Sequence, residues 1–361
     1  MKILWITNTV FPEPAKALGL PQPLGGGWMY DLAQQIADDS GKKLAVASIT
    51  QGKGLTKHEI KGITYYTIRC KQKNIYKYSP ELEIFWERIC NEYKPNIIHI
   101  HGTEYPKALA CMRIWNHSKY LISIQGLLSG YSRYIYGGIS CLDLIKNITL
   151  RDLIRKDTLI QRKNNWEKSG EKYDKEYFNK ADGILGRTAW GKAHTFSINP
   201  KANYFHCGER LRSSFYEAEK WSLDKCNGYT IFLSQGNTPI KGIHNVITAV
   251  AYLIHDFPLI KVRIAGYDIT CRNTIKDKIK LSGYGKYILN LLTKYKLQNK
   301  VSFLGPLDEH KMIEEYQKAH IFICPSSIEN SPNSLGEAQL IGTPVIASYV
   351  GGIPDMVQNG K

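Results

Sequence analysis

The chain has 361 residues, more than one hydrophobic core usually organises, so two domains are expected. Its 48 Lys and Arg residues against 32 Asp and Glu give a formal charge of +16, which favours an anionic partner. Basic segments with interleaved aromatic and base-reading side chains are absent, which argues against nucleic acid. Phosphorylated small molecules and an acidic membrane surface remain as candidate partners.

The eight cysteines are scattered, without a Cys-x-x-Cys pair or a His/Cys cluster at metal-ligand spacing. We therefore expect reduced thiols and no metal site. The N-terminus runs directly into a strand-like segment, which is neither a secretion signal nor a transit peptide. No apolar run reaches the ~18–20 residues of a spanning helix. These features predict a cytoplasmic protein, with peripheral association at the inner face of the membrane as a further expectation.

Short β-branched runs alternate with longer amphipathic stretches, the pattern of parallel strands joined by helices. The strands predicted for a first sheet are Lys2–Thr7, Lys43–Ile49, Ile63–Ile68, Ile97–His101, Tyr120–Gln125, Gly183–Gly186 and Asn203–His206. Those predicted for a second sheet are Tyr229–Ser234, Ile260–Ala265, Val301–Leu304, Ile321–Cys324 and Val345–Ser348. The pattern predicts an α/β protein with two doubly wound domains facing a cleft: residues 1–216, a linker at 217–228, and residues 229–361.

Polar and glycine residues follow several of these strands in the first domain. A glycine-rich loop containing Gly25 and Gly26 precedes a helix, the order of an anion site, although it is not Gly-x-Gly-x-x-Gly. His101 ends one strand and Gln125 the next, and polar side chains at the carboxyl ends of parallel strands are directed towards a ligand cleft. His101 could equally be satisfied by neighbouring backbone.

In the second domain, Gln235 and Lys241 follow the first strand, and two carboxylates, Glu329 and Glu337, flank a strand-to-helix crossover. Free backbone N–H groups at the start of that helix can hold a phosphate, while carboxylates accept hydrogen bonds from sugar hydroxyls. Taken singly, such residues are more often solvated surface charges than ligand contacts.

The sequence from Pro325 to Asp355 favours ligand contacts over solvated surface charges for these two carboxylates. It contains Glu329, Pro332-Asn333, Glu337, a Gly-Thr-Pro-Val strand and the Gly351-Gly352 loop, and it resembles the donor-binding signature of family 4 glycosyltransferases, retaining enzymes of the GT-B fold. The likeness spans about thirty residues. An arginine-threonine-x-tryptophan block at Arg187–Trp190 resembles a bacterial branch of that family, concerned with polysaccharide and cell-envelope biosynthesis.

The resemblance implies roles for named residues. Glu329 would position the donor and stabilise charge. His101 is the second candidate catalytic residue, on the separate ground that it ends a parallel strand. Lys241 would neutralise the donor diphosphate. The further donor contacts it implies are Gln235, Glu337, Asn333, Ser334, Leu335, Gly25, Gly26 and Gln125. Gln125 and Gln235 depart from the family pattern, because many relatives have a histidine and an arginine at these places.

The reaction so implied moves a sugar from a nucleoside diphosphate sugar, as co-substrate, to a hydroxyl of a glycan or lipid-linked glycan acceptor, with retention and without a metal. A non-catalytic sugar-nucleotide-binding protein and a nucleotide-sugar epimerase stay open as alternatives. Residues 129–180 mix Lys, Arg and Tyr with apolar residues at helical spacing, which suggests either an anionic membrane contact or an ordinary packed helix. The chain also stops where relatives continue, so we expect the second domain to be incomplete.

Overall fold

The computed structural model describes residues 1–23, 26–71 and 74–360. The strands are β1 Lys2–Thr7, β2 Lys43–Thr50, β3 Gly54–Ile60, β4 Ile63–Arg69, β5 Ile97–His101, β6 Lys119–Ser123, β7 Gly183–Gly186, β8 Tyr204–His206, β9 Thr230–Leu233, β10 Lys261–Ile264, β11 Val301–Phe303, β12 Ile321–Cys324 and β13 Val345–Ala347. The α-helices are α1 Pro12–Ala17, α2 Trp28–Asp38, α3 Glu83–Tyr93, α4 Leu109–Ile114, α5 Leu128–Tyr131, α6 Cys141–Lys146, α7 Leu150–Arg155, α8 Leu159–Ser169, α9 Lys175–Lys180, α10 Ala189–Ile198, α11 Ser213–Glu217, α12 Ile243–Leu253, α13 Ile275–Lys280, α14 Gly283–Lys294, α15 Glu309–Lys318 and α16 Asn333–Ile341.

The first sheet has the order β3-β4-β2-β1-β5-β6-β7-β8 and is parallel except for β3, which pairs antiparallel with β4. Its central strands are apolar on both faces, as strands covered by helices on both sides must be. From β1 the chain builds outward through β2 to β4 and then returns to the other side of β1 with β5. The resulting switch point between β1 and β5 is where open α/β sheets place ligands.

The second sheet has the order β11-β10-β9-β12-β13 and is parallel throughout its named strands. Here the chain builds outward from β9 through β10 to β11, then returns to the other side of β9 with β12. Its switch point therefore lies between β9 and β12. Phe232 and Phe322, from these two strands, are fully buried in one core with Tyr316.

The chain divides into two compact units, residues 1–131 with 165–212 and residues 132–164 with 213–361. This division differs from the expected one because residues 132–164 belong with the second sheet. Ile139 and Leu144 share a core with Val246 of α12, and the buried His244 ring bonds the Gly137 carbonyl over 2.8 Å. Side-chain burial, which the local sequence pattern does not reveal, decides where this segment packs.

The strands predicted from the sequence are confirmed to within a few residues, but β3 was missed. Its solvent-facing residues Lys57 and Glu59, with the half-buried His58 between them, hide the apolar alternation, because an edge strand needs only one covered face. The signal was the Lys61-Gly62 pair, whose φ values of 52° and 76° are those of a tight hairpin turn. The predicted basic amphipathic helix over 129–180 is replaced by short helices, α5 to α9, separated by caps and turns.

Candidate functional site

Lys241 and Glu329 meet at the switch point of the second sheet. Each lies on the loop that follows the carboxyl end of one of two adjacent strands, β9 and β12. The Lys241 ammonium forms an ion pair with Glu329 Oε1, and the Ser326 hydroxyl donates to the same oxygen over 2.8 Å. The two side chains are only 21% and 9% exposed, so their charges depend on each other rather than on water. The sequence pattern thus identified Lys241 and Glu329 but not Ser326.

The local chain path explains why a glycine follows Lys241. Residues Pro239–Lys241 form one 3-10 turn, and Gly242 continues it with a φ of 70°. A Cβ at Gly242 would lie 2.0 Å from the Pro325 carbonyl oxygen, and the Ser327 N–H donates to the Ile240 carbonyl over 2.7 Å. Only glycine allows the two loops this backbone approach, which in turn brings the lysine to the carboxylate.

The Gly351-Gly352 loop holds the main chain of Glu329 from the other side. The Gly352 N–H donates to the Glu329 carbonyl over 2.9 Å. Gly351 has a φ of 55°, and a Cβ there would lie 1.9 Å from the same carbonyl oxygen. This part of the thirty-residue signature therefore fixes the backbone of the carboxylate residue.

The second carboxylate, Glu337, lies one turn into α16 and is buried rather than solvated. It accepts a hydrogen bond from the fully buried Tyr316 hydroxyl over 3.2 Å, and that hydroxyl also donates to the Ser334 carbonyl over 2.9 Å. Tyr316 thus holds the first turn of α16 and Glu337 together.

The beginning of α16 has no side-chain cap, because Pro332 occupies the cap position. Asn333 and Ser334 form its first turn. Leu335 does not offer a side chain to a ligand: it is fully buried in the core, and its N–H already donates to the Pro332 carbonyl over 3.0 Å. Because its side chain is buried and its N–H is already bonded, Leu335 is the least suited of the residues at this end of α16 to contact the donor.

The other predicted donor contacts differ in their surroundings. Gln235 is exposed on the loop after β9. Gly26 has a φ of 81° at the end of the glycine-rich loop, whereas Gly25 lies outside the described residues. In the first unit, the Gln125 amide donates to Glu209 over 2.5 Å, and Glu209 also pairs with Arg187 over 3.0 Å. Gln125 is thus part of a buried polar cluster of its own unit.

His101 lies at the switch point of the first sheet but among aromatic rings. Its ring is 4.5 Å from that of Trp5, 5.7 Å from that of Trp28 and 4.1 Å from that of His99, measured between centroids. Burial, together with His99, holds the His101 pKa well below its usual value, so the imidazole is neutral at pH 7. A neutral ring can donate or accept a hydrogen bond but provides no positive charge to neutralise a diphosphate.

Glu104, which sequence analysis left without a role, is the notable carboxylate of this switch point. It accepts the Gly126 N–H over 2.9 Å and the Asn8 amide over 3.1 Å. Burial raises its pKa to about 7, and burial likewise raises that of Asp174 to about 6. The position of Glu104, three residues after the carboxyl end of β5, is the sequence feature that could have identified it as a site residue.

Two further features of the chain concern membranes and thiols. No helix within the described residues is long and apolar enough to cross a bilayer. The eight cysteines are all free thiols. Cys324 lies beneath the Lys241–Glu329 pair, where burial and then the Glu329 charge raise its pKa to about 11.

Comparisons with known proteins add to this geometry. Residues 215–361 match the family model described as "Glycosyl transferases group 1". A "D-inositol 3-phosphate glycosyltransferase" from Corynebacterium urealyticum is 30% identical over 122 residues, which are 34% of this chain and only 27% of that relative. The match thus spans about a quarter of that relative's length.

Solved structures extend the likeness to nearly the whole chain. "Sucrose-phosphate synthase" from Thermosynechococcus elongatus superposes with a TM-score of 0.66 and 18% identity, covering 99% of this chain and 84% of that one. "Trehalose-6-phosphate from E. coli bound with UDP-2-fluoro glucose" superposes with a TM-score of 0.62 and 9% identity, covering 98% and 86%. At such identities these likenesses concern the fold. The fold of the chain is GT-B, and its residues 215–361 are similar to the glycosyl transferases group 1.

Proposed function

We propose that this protein is a retaining glycosyltransferase that moves a sugar from a nucleoside diphosphate sugar to a hydroxyl of a glycan or lipid-linked glycan. The observation that carries the proposal is the Lys241–Glu329 pair at the β9/β12 switch point, beside the uncapped beginning of α16. A cation, a carboxylate and the N-terminus of a helix are the three features that suit a diphosphate and a sugar ring.

In the proposed mechanism the main barrier is the charge that develops on the leaving diphosphate. Lys241 is held in advance by Glu329 and turns its ammonium to the diphosphate oxygens when donor binds. Together with the first turn of α16 it supplies preorganised donors, each worth about 3 kcal/mol of barrier when well placed. Protein groups stabilise the negative charge of the leaving diphosphate. We therefore propose that no metal is needed and that chelators leave the rate unchanged.

Donor binding also frees Glu329 for a second task. Once Lys241 turns to the diphosphate, the carboxylate accepts hydrogen bonds from sugar hydroxyls and stabilises positive charge at the anomeric carbon. Ser326 keeps one of its oxygens in place through the 2.8 Å bond. The Gly351-Gly352 loop fixes the backbone at the same position, so the carboxylate needs no large movement.

The remaining predicted residues have supporting parts in this proposal. Gln235, exposed on the loop after β9, offers an amide to the diphosphate. Glu337 is buried, and its proposed task is to orient the start of α16 through Tyr316 and to accept a ribose hydroxyl. His101 would contribute as a neutral imidazole, and Gln125 would exchange Glu209 for a sugar hydroxyl.

Incubation with a panel of nucleoside diphosphate sugars tests the proposal directly. The acceptors are soluble glycans, a lipid-linked glycan and, because of the matched relative's name, a phosphorylated polyol. We expect one donor to give product whose anomeric configuration, read from NMR coupling constants, equals that of the donor. An inverted product contradicts retention. Binding without turnover indicates a non-catalytic sugar-nucleotide-binding protein, and conversion of the donor alone indicates an epimerase.

A further inference from the structure

Three short helices of the second unit, α6, α7 and α13, share an unusual outer face. Their exposed residues are almost all apolar or cationic. The exposed apolar ones are Leu142, Ile145, Leu150, Leu153, Ile154, Ile275 and Ile279, between 54% and 81% exposed. The exposed cations are Lys146, Arg155, Lys156, Lys276, Lys278 and Lys280. We call these residues the apolar-cationic face.

Each of the three helices does contain an acidic residue, and each of these is used at the helix start. Asp143 accepts from the Ser140 hydroxyl over 2.7 Å, and Asp152 and Asp277 form capping boxes with Thr149 and Thr274. Asp152 is buried, whereas Asp143 and Asp277 are half-buried. The Asp152 and Asp277 carboxylates thus accept backbone N–H groups and the Asp143 carboxylate accepts a hydroxyl, while the exposed charged residues of the three helices are cations.

The face is supported by a folded scaffold. Leu144 of α6 packs in the core of the second unit, and the buried Asp152 of α7 accepts the Gly283 N–H at the start of α14 over 2.7 Å. Helix α7 also contacts α13. Residues from all three helices line one cavity of about 340 Å³. The seven apolar side chains are therefore held outward by helices that are themselves anchored.

We infer that the apolar-cationic face docks on an anionic lipid bilayer, with the Leu and Ile side chains below the headgroups and the cations among them. A soluble surface seldom shows this many large apolar side chains together without a partner. Cations within one turn of each apolar residue complement a surface that is apolar inside and negative at its boundary. An ordinary protein partner offers no such uniform negative boundary, and nucleic acid offers no apolar layer.

This inference goes beyond the proposed function, and it rests on that function only where it takes the acceptor to be lipid-linked. Docking would bring the enzyme to an acceptor confined to the membrane. Within residues 129–180, the proposed contact with an anionic membrane involves only α6 and α7. It also includes α13, which is distant from them in sequence. Sedimentation measures the docking, whereas turnover with a soluble acceptor measures the chemistry.

The test is co-sedimentation of the full chain with vesicles of phosphatidylcholine containing 30% phosphatidylglycerol, at low and high salt. We expect binding that weakens with salt and is absent on pure phosphatidylcholine. The triple variant K276Q/K278Q/K280Q should bind about 100-fold more weakly, at about 1 kcal/mol for each cation. The variant L150Q/I154Q should lose about tenfold per residue, because each apolar side chain no longer leaves water.

Matched controls carry the same chemical changes elsewhere. K53Q/K192Q/K201Q removes three exposed cations from the first unit, and L223Q/L259Q removes two exposed apolar residues from the second. Both should bind like the unmodified chain, and all variants should keep turnover with a soluble acceptor. Equal losses in the controls, salt-independent binding, or unchanged binding of L150Q/I154Q overturns the inference. A dimer that L150Q/I154Q dissociates also overturns it, since the face would then be an interface between copies.

Discussion

The coupling between Lys241 and Glu329 offers the most direct test of the candidate site. In K241M the Glu329 carboxylate keeps, among the described residues, the Ser326 hydroxyl as its hydrogen-bond partner and stays buried, at 9% side-chain exposure. Removing one partner of a buried pair costs roughly 3–5 kcal/mol. Lys241 is 21% exposed, so water recovers part of this, and we expect a loss of about 2–4 kcal/mol in the free energy of unfolding.

Substitution of the carboxylate should lower the free energy of unfolding less than substitution of the lysine. In E329Q the amide oxygen still accepts from Ser326, and the partly exposed ammonium is left facing water, so we expect a loss of about 1–2 kcal/mol. The double variant K241M/E329Q removes both charges. Its loss should be smaller than the sum of the single losses by about 1.5–3 kcal/mol, the coupling typical of residues in direct contact. Urea denaturation of the four proteins measures this cycle.

Donor binding separates a functional pair from a merely structural one. We expect K241M to weaken binding of nucleoside diphosphate about 10- to 100-fold, measured by calorimetry, because a charge-assisted contact contributes about 1.5–3 kcal/mol. R263M is the matched control, since it breaks the paired hydrogen bonds of Arg263 to Glu315, 2.7 and 2.6 Å, within the same unit. It should lower stability without changing affinity. Additive losses in the cycle, or equal affinity losses in K241M and R263M, would refute the reasoning.

Further predictions concern the groups around the two switch points. The pKa of Glu104 is raised from 4.5 to about 7, so its contribution to stability is full below pH 4.5 and is lost as pH rises through 7, by up to about 1.4 kcal/mol per pH unit. E104Q should flatten that fall in urea denaturation between pH 5 and 8, and an unchanged slope would contradict the assignment. G351A should cost at least about 2 kcal/mol and lower turnover, because its Cβ meets the Glu329 carbonyl, whereas G208A, with open space around it, should change neither. S326A should lower kcat more than donor affinity, by about five- to tenfold, since it frees the Glu329 oxygen that it now holds; an unchanged kcat would argue against that positioning.

Much of the architecture is readable from the sequence because buried parallel strands carry a strong apolar signal. Lys241 and Glu329, on loops that follow two of these strands, could be proposed for one site for the same reason, since the carboxyl ends of parallel strands share one edge of a sheet. Residues 132–164 were assigned to the wrong neighbour because their few buried residues, such as Leu144, look like any amphipathic helix. The raised pKa of Glu104 was equally invisible, since desolvation depends on what packs around a group.

The glycines of the second unit show how the signature produces the site. Gly242 and Gly351 lie far apart in the chain, yet each is needed at a carbonyl oxygen of the same loop, that of Pro325 or that of Glu329. Backbone contacts at Gly242 and Gly351 therefore hold this loop from two sides, and a residue with a Cβ would not fit at either position. Because the carboxylate is positioned by backbone contacts, its side chain need not form structural bonds beyond Ser326 and Lys241 to stay in place. Of these two partners, the lysine is the one that a diphosphate attracts, so in the proposed mechanism the pair that stabilises this loop separates when the donor binds.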